Sequence, residues 1–568
     1  MDTAKFIKIL RNFDESELKD LLGDLKDSLI EWSIGSNLLL KGNLINLLVS
    51  LKGVELFKDE EFRKKFYLSV EDEELFKKII KVTYDIDLTN ITGEVQIEYA
   101  DKLSHILFGD REPYNFLIRE YFDCPEFSFE NKIDNEKSHL IGDDSNKFTE
   151  LYDYQYMMKQ QVINHISNAN KKLYRILLQM PTGTGKTKTA MHIICHQINY
   201  ISKGKGLVVW IAHSEELLKQ AYDAFCTAWK HLGKYEINVY KGWNGYPDSF
   251  ENGILFTSIQ LLLKRMDKPI FDSISENASL VVFDEVHKAG ASKFKTCVDK
   301  LMLKDNIYNK KFLGLTATPG RTTDDSLDNT MFASEFEVTV MIDVKKILSI
   351  TLTEDEIRNY HGDTKNPIRY FQENQYLAKI ERDIVDYSIA DPNIIKELEK
   401  EYNEDSDDYT KQLLKKIALN KSRNIKIIEK LKELNEEKKP TIVFACNLQH
   451  AKMLSAFLTL NKIPNSLVYG DMQPYAREKA INDFKNRDSE VNIIINYDIL
   501  TTGFDSTNIK CVFITRPTKS VILYSQMIGR GLRGPKMGGN PSCMLIDVPE
   551  NEKFNENDAY NHFIYYWR

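Results

Sequence analysis

The chain opens in one hydrophobic rhythm and changes to another near residue 150. Phe6, Leu10, Phe13, Leu18, Leu21, Leu22, Leu25 and Leu29 recur mostly at three- and four-residue steps, and further sets run through 38–57 and 62–84. That period lines apolar side chains along one helix face, so residues 1–123 are expected to form a mostly helical accessory domain. Residues 124–149 are polar and broken, and read as a linker. From 150 short apolar runs alternate with helical patterns, at 174–178, 206–212, 253–257, 279–283 and 312–316. The same texture returns at 441–445, 466–469, 491–496, 511–515 and 542–547. Such alternation predicts an α/β fold with parallel sheets covered on both faces. It divides the chain into two α/β domains, 150–341 and 436–568, around a charged, helix-rich connector or insertion at 342–435.

Length agrees with this division, since 568 residues suit three to four domains of roughly 150 residues each. No apolar run approaches the ~20 residues of a membrane span. Charges interrupt the first ten residues before a signal-peptide stretch can build. A cytoplasmic protein without membrane contact is expected. The seven cysteines are scattered without a C-x-x-C pair, which points to free thiols rather than disulfides or a zinc site. The net charge of −8 is unevenly spread. Residues 1–150 hold 20 Lys and Arg against 32 Asp and Glu, a net −12, and the remainder holds 56 against 52, a net +4. A phosphate backbone repels the acidic part. Nucleic-acid contact therefore belongs to the later residues, and docking of a protein partner to the N-terminal ones.

Three segments carry chemistry. Gln179–Thr187 reads QMPTGTGKT, after an expected strand and before an amphipathic helix marked by Ala190, Ile193, Ile194 and Ile198. This is the strand–loop–helix setting of a phosphate-binding loop. Pro181, Thr182, Gly183, Thr184 and Gly185 form the loop, and the two glycines let backbone N–H groups turn inward around phosphates. Lys186 is expected to reach the β- and γ-phosphates, and the Thr187 hydroxyl to hold Mg²⁺. Met180 stands where the usual motif has its first glycine. Asp284 and Glu285 end an apolar strand ninety-eight residues after Lys186. A strand end is where such sheets present ligands. Asp284 is expected at Mg²⁺ through water, and Glu285 at the attacking water. Gln526–Arg533 reads QMIGRGLR. Arg530 and Arg533, three apart, are expected on one helix face, reaching the γ-phosphate from the second domain. Such a finger is worth ~10³–10⁵ in rate.

In this order and context the motifs resemble those of superfamily 2 helicases and translocases, with Asp284-Glu285-Val286-His287 as a DExH box. Thr501–Asp505 and Tyr524–Gly534 are similar to the motor subunits of bacterial restriction enzymes. The resemblance covers about 150–550. It implies two RecA-like parallel-sheet motor domains that use ATP and Mg²⁺. Further roles come only with the resemblance. Gln155, with Tyr154, matches the adenine-reading glutamine, and Gly503 and Asp505 a nucleotide contact. His213, Ser214, Gln260, Thr501 and Thr502 match nucleic-acid contacts. Thr316 and Thr318, with His287, match coupling positions. Lys186, Asp284, Glu285, Gln526, Arg530 and Arg533 take the catalytic roles.

Restriction motor subunits also carry a nuclease domain, whereas this chain ends about 35 residues after Arg533. A nuclease acting in trans is the matching expectation. The cluster Glu61–Lys64 is expected on a solvated helix face. The resulting expectation is an ATP-dependent DNA helicase or translocase of a bacterial defence, restriction or repair complex. The alternatives are an RNA helicase, or an ATP-driven switch acting through a protein partner.

Overall fold

The computed structural model describes residues 3–32, 39–109, 111–124, 138–139, 150–168, 174–286, 292–303, 309–317, 336–350, 352–360, 362, 364–385, 387, 392–402, 408–501, 504 and 506–549. Its strands are β1 (Ser138–His139), β2 (Tyr174–Gln179), β3 (Leu207–Ala212), β4 (Asn238–Lys241), β5 (Gly253–Ser258), β6 (Ala278–Asp284) and β7 (Lys311–Thr316). They continue as β8 (Val338–Met341), β9 (Lys379–Ile384), β10 (Thr441–Phe444), β11 (Asn465–Val468), β12 (Ile493–Asn496), β13 (Cys511–Ile514) and β14 (Ser542–Asp547).

Two sheets result. The first runs β1-β4-β5-β3-β6-β7-β2-β8 and is parallel except for the β1–β4 pair. The second runs β11-β12-β10-β13-β14-β9 and is parallel throughout. Every residue of β3, β6 and β7 is buried. Helices cover both faces, so these strands are continuous apolar runs rather than alternating ones. The fold is α/β, with two RecA-like parallel-sheet domains and a helical N-terminal region.

Strands β4, β8 and β9 had no sequence counterpart. Strands β8 and β9 lie at sheet edges, and β4 lies one strand inside an edge. Strand β9 reads KIERDI and has no fully buried residue. An edge strand held largely by its backbone ladder does not require an apolar run. The stretch 342–435 is thus more than a connector. Its β9 completes the second sheet, and its helix Lys421–Glu436 buries Ile427, Leu431 and Leu434 in that domain. Within 124–149, Ser138–His139 pairs with β4, and the rest of that span beyond Cys124 lies outside the described residues.

The N-terminal helices share a nest of aromatic rings, with Phe57 meeting Phe6, Phe62, Phe66 and Tyr114 at 4.8–6.2 Å. Their apolar residues, including Leu44, Leu47 and Leu48, join Leu454, Phe457 and Leu458 of the Leu448–Leu460 helix in one cluster. The accessory region is therefore seated on the second motor domain. One expectation here is corrected. Arg63 is 2% exposed and donates to the carbonyls of Ser104, Phe57 and Lys58. Glu61–Lys64 is not a solvated face throughout, because these otherwise unsatisfied carbonyls recruit the guanidinium inward.

Candidate functional site

Strand β2 delivers the chain into the phosphate loop. The Met180 N–H donates to Thr316 O at 3.1 Å, which ties the loop entrance to the end of β7. Gly183 and Gly185 adopt φ of +85° and +80°, a region that glycine enters without steric cost. A side chain at Gly185 would stand 2.3 Å from Gln155 Nε2, so the loop lies directly on that amide. Thr184 turns its hydroxyl to Pro181 O at 2.6 Å. Its own carbonyl accepts from Tyr154 Oη at 2.8 Å and Gln155 Nε2 at 2.9 Å. Lys186 then starts the Lys186–His196 helix, with Thr187 half-buried in its first turn.

At the end of β6 the backbone turns sharply. Glu285 has φ +52° and its N–H donates to Asp284 Oδ1 at 3.0 Å. Lys186 Nζ then meets Glu285 Oε1 at 2.7 Å and Asp284 Oδ1 at 3.4 Å. Burial opposes the Lys186 charge, but the two carboxylates outweigh it and hold the ammonium above its ordinary pKa. Burial, aided by the Glu285 charge, raises the Asp284 carboxyl, with Lys186 pulling the other way. One cation thus balances two enclosed acids.

The second domain closes this loop. A methyl at Gly529 would lie 2.1 Å from Thr182 Cγ2, and one at Gly183 3.1 Å from Leu377 Cδ2. The segment 375–378 runs beside 532–536, with Ala378 N donating to Leu532 O, Gly534 N to Tyr376 O and Lys536 N to Gln375 O. Its rings reach back to the first domain, Tyr376 to Tyr152 and Tyr154 at 5.0 Å each. This strap was not visible in the sequence. Its only signal is the aromatic density of 370–376.

Arg530 and Arg533 require a correction. The Val521–Ile528 helix ends before them, so they do not share a helix face. Beyond the helix, Gly531 and Gly534 lie at close approaches, where a side chain would collide with Cys543 Sγ or Gln375 O. Arg530 donates to the carbonyls of Thr501 and Phe504, and Arg533 forms an isolated bridge with Leu377. Gln526 is buried, and its Nε2 has no acceptor among the described residues.

The expected nucleic-acid residues separate. Half-buried His213 lies 5.3 Å from the Phe283 ring, and Ser214 caps the Glu215–Leu232 helix by accepting from Leu217 N. Gln260 is exposed on the Ile259–Leu263 helix. Thr501 is buried and donates to Asp498 O, so it shapes a turn. A cavity of about 260 Å³ between the domains is lined by Ser214, Glu216, Tyr469, Gly470, Asp471 and Tyr497. Arg477 pairs with Glu216 of this lining, a partner that sequence reading missed. Thr316 is buried beside the phosphate loop. His287, Thr318, Thr502, Gly503 and Asp505 lie outside the described residues.

Two parallel sheets that share one phosphate loop have the layout of a two-domain P-loop ATPase, and relatives agree with this. Residues 148–321 match the family described as "Type III restriction enzyme, res subunit", and 423–534 match "Helicase conserved C-terminal domain". The chain is 26% identical over 411 residues to the "Putative ATP-dependent helicase IRC3" of Saccharomyces cerevisiae, covering 70% of this chain and 51% of that protein. It is 26% identical over 379 residues to the "Type I restriction enzyme EcoKI endonuclease subunit" of Escherichia coli, covering 63% and 31%. A solved fragment of a putative HsdR subunit from Vibrio vulnificus aligns with a TM-score of 0.47 at 19% identity, over 72% and 66% of the two chains. The chain thus carries, in tandem, the two domain types found in superfamily 2 helicases. It spans about half the length of the first two curated relatives that it matches.

The residues present fit a nucleoside triphosphate and a divalent ion. The loop has two left-handed glycines, Thr187 and Asp284 would supply oxygen ligands, and the Gln526 amide has no acceptor among the described residues. Among the described residues no helix is long and apolar enough to cross a membrane, and all seven cysteines are free.

Proposed function

We propose that this chain is a DNA translocase or helicase of the DExH type that uses ATP and Mg²⁺, acting in the cytoplasm within a bacterial restriction, defence or repair assembly. The observation that carries the motor reading is the contact of Thr182 with Gly529, which joins the phosphate loop to the arginine-bearing turn. In this reading Lys186 exchanges its carboxylate partners for phosphate oxygens. Released from Lys186, Glu285 orients and deprotonates the attacking water. Thr187 and Asp284 would hold the divalent ion, which neutralises phosphate charge when bound. Arg530 and Arg533 stand across the loop, and Gln526 orients the arginine-bearing segment. Gln155, pressed under Gly185, faces the base side, and Gly503 and Asp505 complete the nucleotide contacts. Strand β7 carries the state of the loop outward through Thr316, alongside Thr318 and His287.

His213, Ser214, Gln260, Thr501 and Thr502 are the proposed contacts to the strand. The preference for DNA rests on the restriction-type match over 148–321 and on restriction relatives. RNA is the second reading, favoured by a 30% match over 120 residues to "ATP-dependent RNA helicase vasa" of Drosophila melanogaster. A nuclease in trans is the proposed partner. The accessory region meets it through its exposed acidic surface, since its apolar face is already covered by the Leu448–Leu460 helix.

The test is ATP hydrolysis by the purified chain alone and with single-stranded DNA, duplex DNA or RNA, with Glu285→Gln as control. Stimulation by DNA that is lost in the variant supports the proposal. Stimulation by RNA alone moves the substrate, and a rate indifferent to all three sinks the motor reading.

A further inference from the structure

The loops at the starting ends of the first sheet carry a basic surface far from the phosphate loop. Residues 199–205 lead into β3 and residues 230–235 into β4, whereas the phosphate loop follows the opposite end of parallel β2. One strand length, ~20 Å, separates these edges. Asn199 ties the two loops together. Its Nδ2 donates to Leu232 O at 2.7 Å, and its Oδ1 accepts from Lys234 N at 3.0 Å. The Tyr235 ring lies over Gly204, where a Cβ would stand 2.9 Å from Tyr235 Cγ. Tyr200 is held by the His196 ring at 4.8 Å and by Lys234 Nζ at 4.3 Å, yet it is 53% exposed. Ile201 and Tyr235 are exposed beside it. Lys203, Lys205, Lys230 and Lys234 are exposed too and make no ion pair among the described residues; Glu236 is the acid that follows them. Cations at helix ends are ordinary, because they meet the negative end of the helix dipole. Two rings and an isoleucine left in water among four such cations go beyond that and mark an interaction face.

The same chain carries the complement. The Glu60–Leu68 and Gly93–Ser104 helices run antiparallel, since His105 pairs with Glu60 at 3.1 Å, Lys64 with Asp101 at 2.5 Å, and Gln96 Nε2 donates to Leu68 O at 3.3 Å. That register sets Leu68 beside Ile97, which are 42% and 60% exposed. Gln96 also donates to Val70 O, which brings Glu71 to the same end, and Glu94 lies two residues before Gln96. Glu71 and Glu94 are exposed and make no ion pair among the described residues. This face is therefore aliphatic with an acidic rim, within residues 1–150 of net charge −12. The accessory region sits on the second motor domain, and among the described residues no ion pair joins its face to the basic one within one chain. The pairing is open to a second copy.

We propose that two copies of this chain associate head to tail. The Leu68–Ile97 face of one accessory region seats on the Tyr200–Tyr235 face of the other copy's first motor domain. Glu71 and Glu94 meet the lysines, and the aliphatic pair covers the exposed rings and Ile201. The contact is heterologous, because the two faces differ. It requires neither nucleotide nor nucleic acid, and it competes with a nuclease for the acidic surface.

Sedimentation velocity of the full chain over a concentration series tests this. A dimer should form and should dissociate as salt rises from about 0.05 M to about 0.5 M, where screening shortens the reach of the charges. Lys205→Glu/Lys230→Glu and Glu71→Lys/Glu94→Lys should each raise the dimer Kd about tenfold or more, with hydrolysis of ATP by each variant unchanged. Mixing the two variants should return the wild-type Kd, because each keeps the face that the other has lost. A wild-type chain that stays monomeric, a Kd that neither variant moves, or a mixture that stays monomeric overturns the inference. ATP hydrolysis by the same samples reads the motor separately, so that reading stands or falls by itself.

Discussion

Arg477 Nη1 donates to Glu216 Oε1 at 2.6 Å, and this contact joins the two motor domains away from the Thr182–Gly529 contact. Arg477 is braced from its own domain by the carbonyls of Gly470 and Met472. The side chains are 20% and 37% exposed, so the pair is worth ~0.2–1 kcal/mol. If it favours the closed arrangement, Glu216→Gln should lower hydrolysis without nucleic acid by ~1.4- to 5-fold. A single variant indistinguishable from wild type would show that the pair does not hold the domains together.

Lys186 balances one buried and one half-buried carboxylate, so its loss has two consequences. Lys186→Ala should reduce hydrolysis by ~10³ or more and weaken nucleotide binding. It should also lower thermal stability, because Asp284 and Glu285 are left enclosed without their cation. Glu285→Gln should abolish turnover while binding persists, as measured by a fluorescent ATP analogue. Retained turnover in Glu285→Gln would remove that residue from its assigned role.

Gly529 has no room for a side chain. Gly529→Ala places a methyl 2.1 Å from Thr182 Cγ2 and should hold the domains apart, lowering kcat more than nucleotide affinity. Thr182→Ser deletes the clashing methyl and keeps the hydroxyl, so the double variant should regain part of the rate. Stopped ATP turnover with separate nucleotide titrations measures both quantities. An active Gly529→Ala enzyme would mean that this contact plays no part in hydrolysis.

Acid should destabilise the fold through buried histidines. Burial, with Arg423 beside it, pushes His450 down to about 3, and burial, with Lys159 and Lys188, pushes His192 down to about 4. His450 Nδ1 accepts from Cys446 N, and Nε2 is paired with Asn424 Oδ1. Both rings are neutral when folded and titrate near 6.5 when unfolded, so the unfolded chain binds more protons below that value. Their contribution is complete above pH 6.5 and lost as pH falls toward 4, at ~1.4 kcal/mol per ring per unit. Melting curves at pH 7.5, 6.5 and 5.5 should show the decline, and His450→Gln should melt lower at pH 7.5 but with a shallower dependence. A melting point flat across this range would contradict the assignment.

Much of the site was legible because its chemistry is local. QMPTGTGKT is one loop, and Asp284-Glu285 is one strand end, so each could be assigned from a few adjacent residues. The arginines misled for the opposite reason. A three-residue spacing fits a helix, but the helix stops at Ile528, and the chain beyond it packs against Thr182 and the segment 375–378, both distant in sequence. Arg63 misled likewise, since its acceptors include Ser104 forty-one residues away.

The sequence by itself determined the α/β class, the central strands and the place of the glycine-lysine loop at the end of β2. Burial on both faces forces continuous apolar runs, and phosphate binding forces glycine and lysine at fixed spacing. Only the tertiary structure decided where β4, β8 and β9 add to the sheets, and that the accessory helices sit on the second domain. It alone brought Gly529 to Thr182 and Arg477 to Glu216. Edge pairing uses backbone groups that every residue carries, and contact between domains depends on shape and charge across hundreds of residues. Neither leaves a periodic trace along the chain.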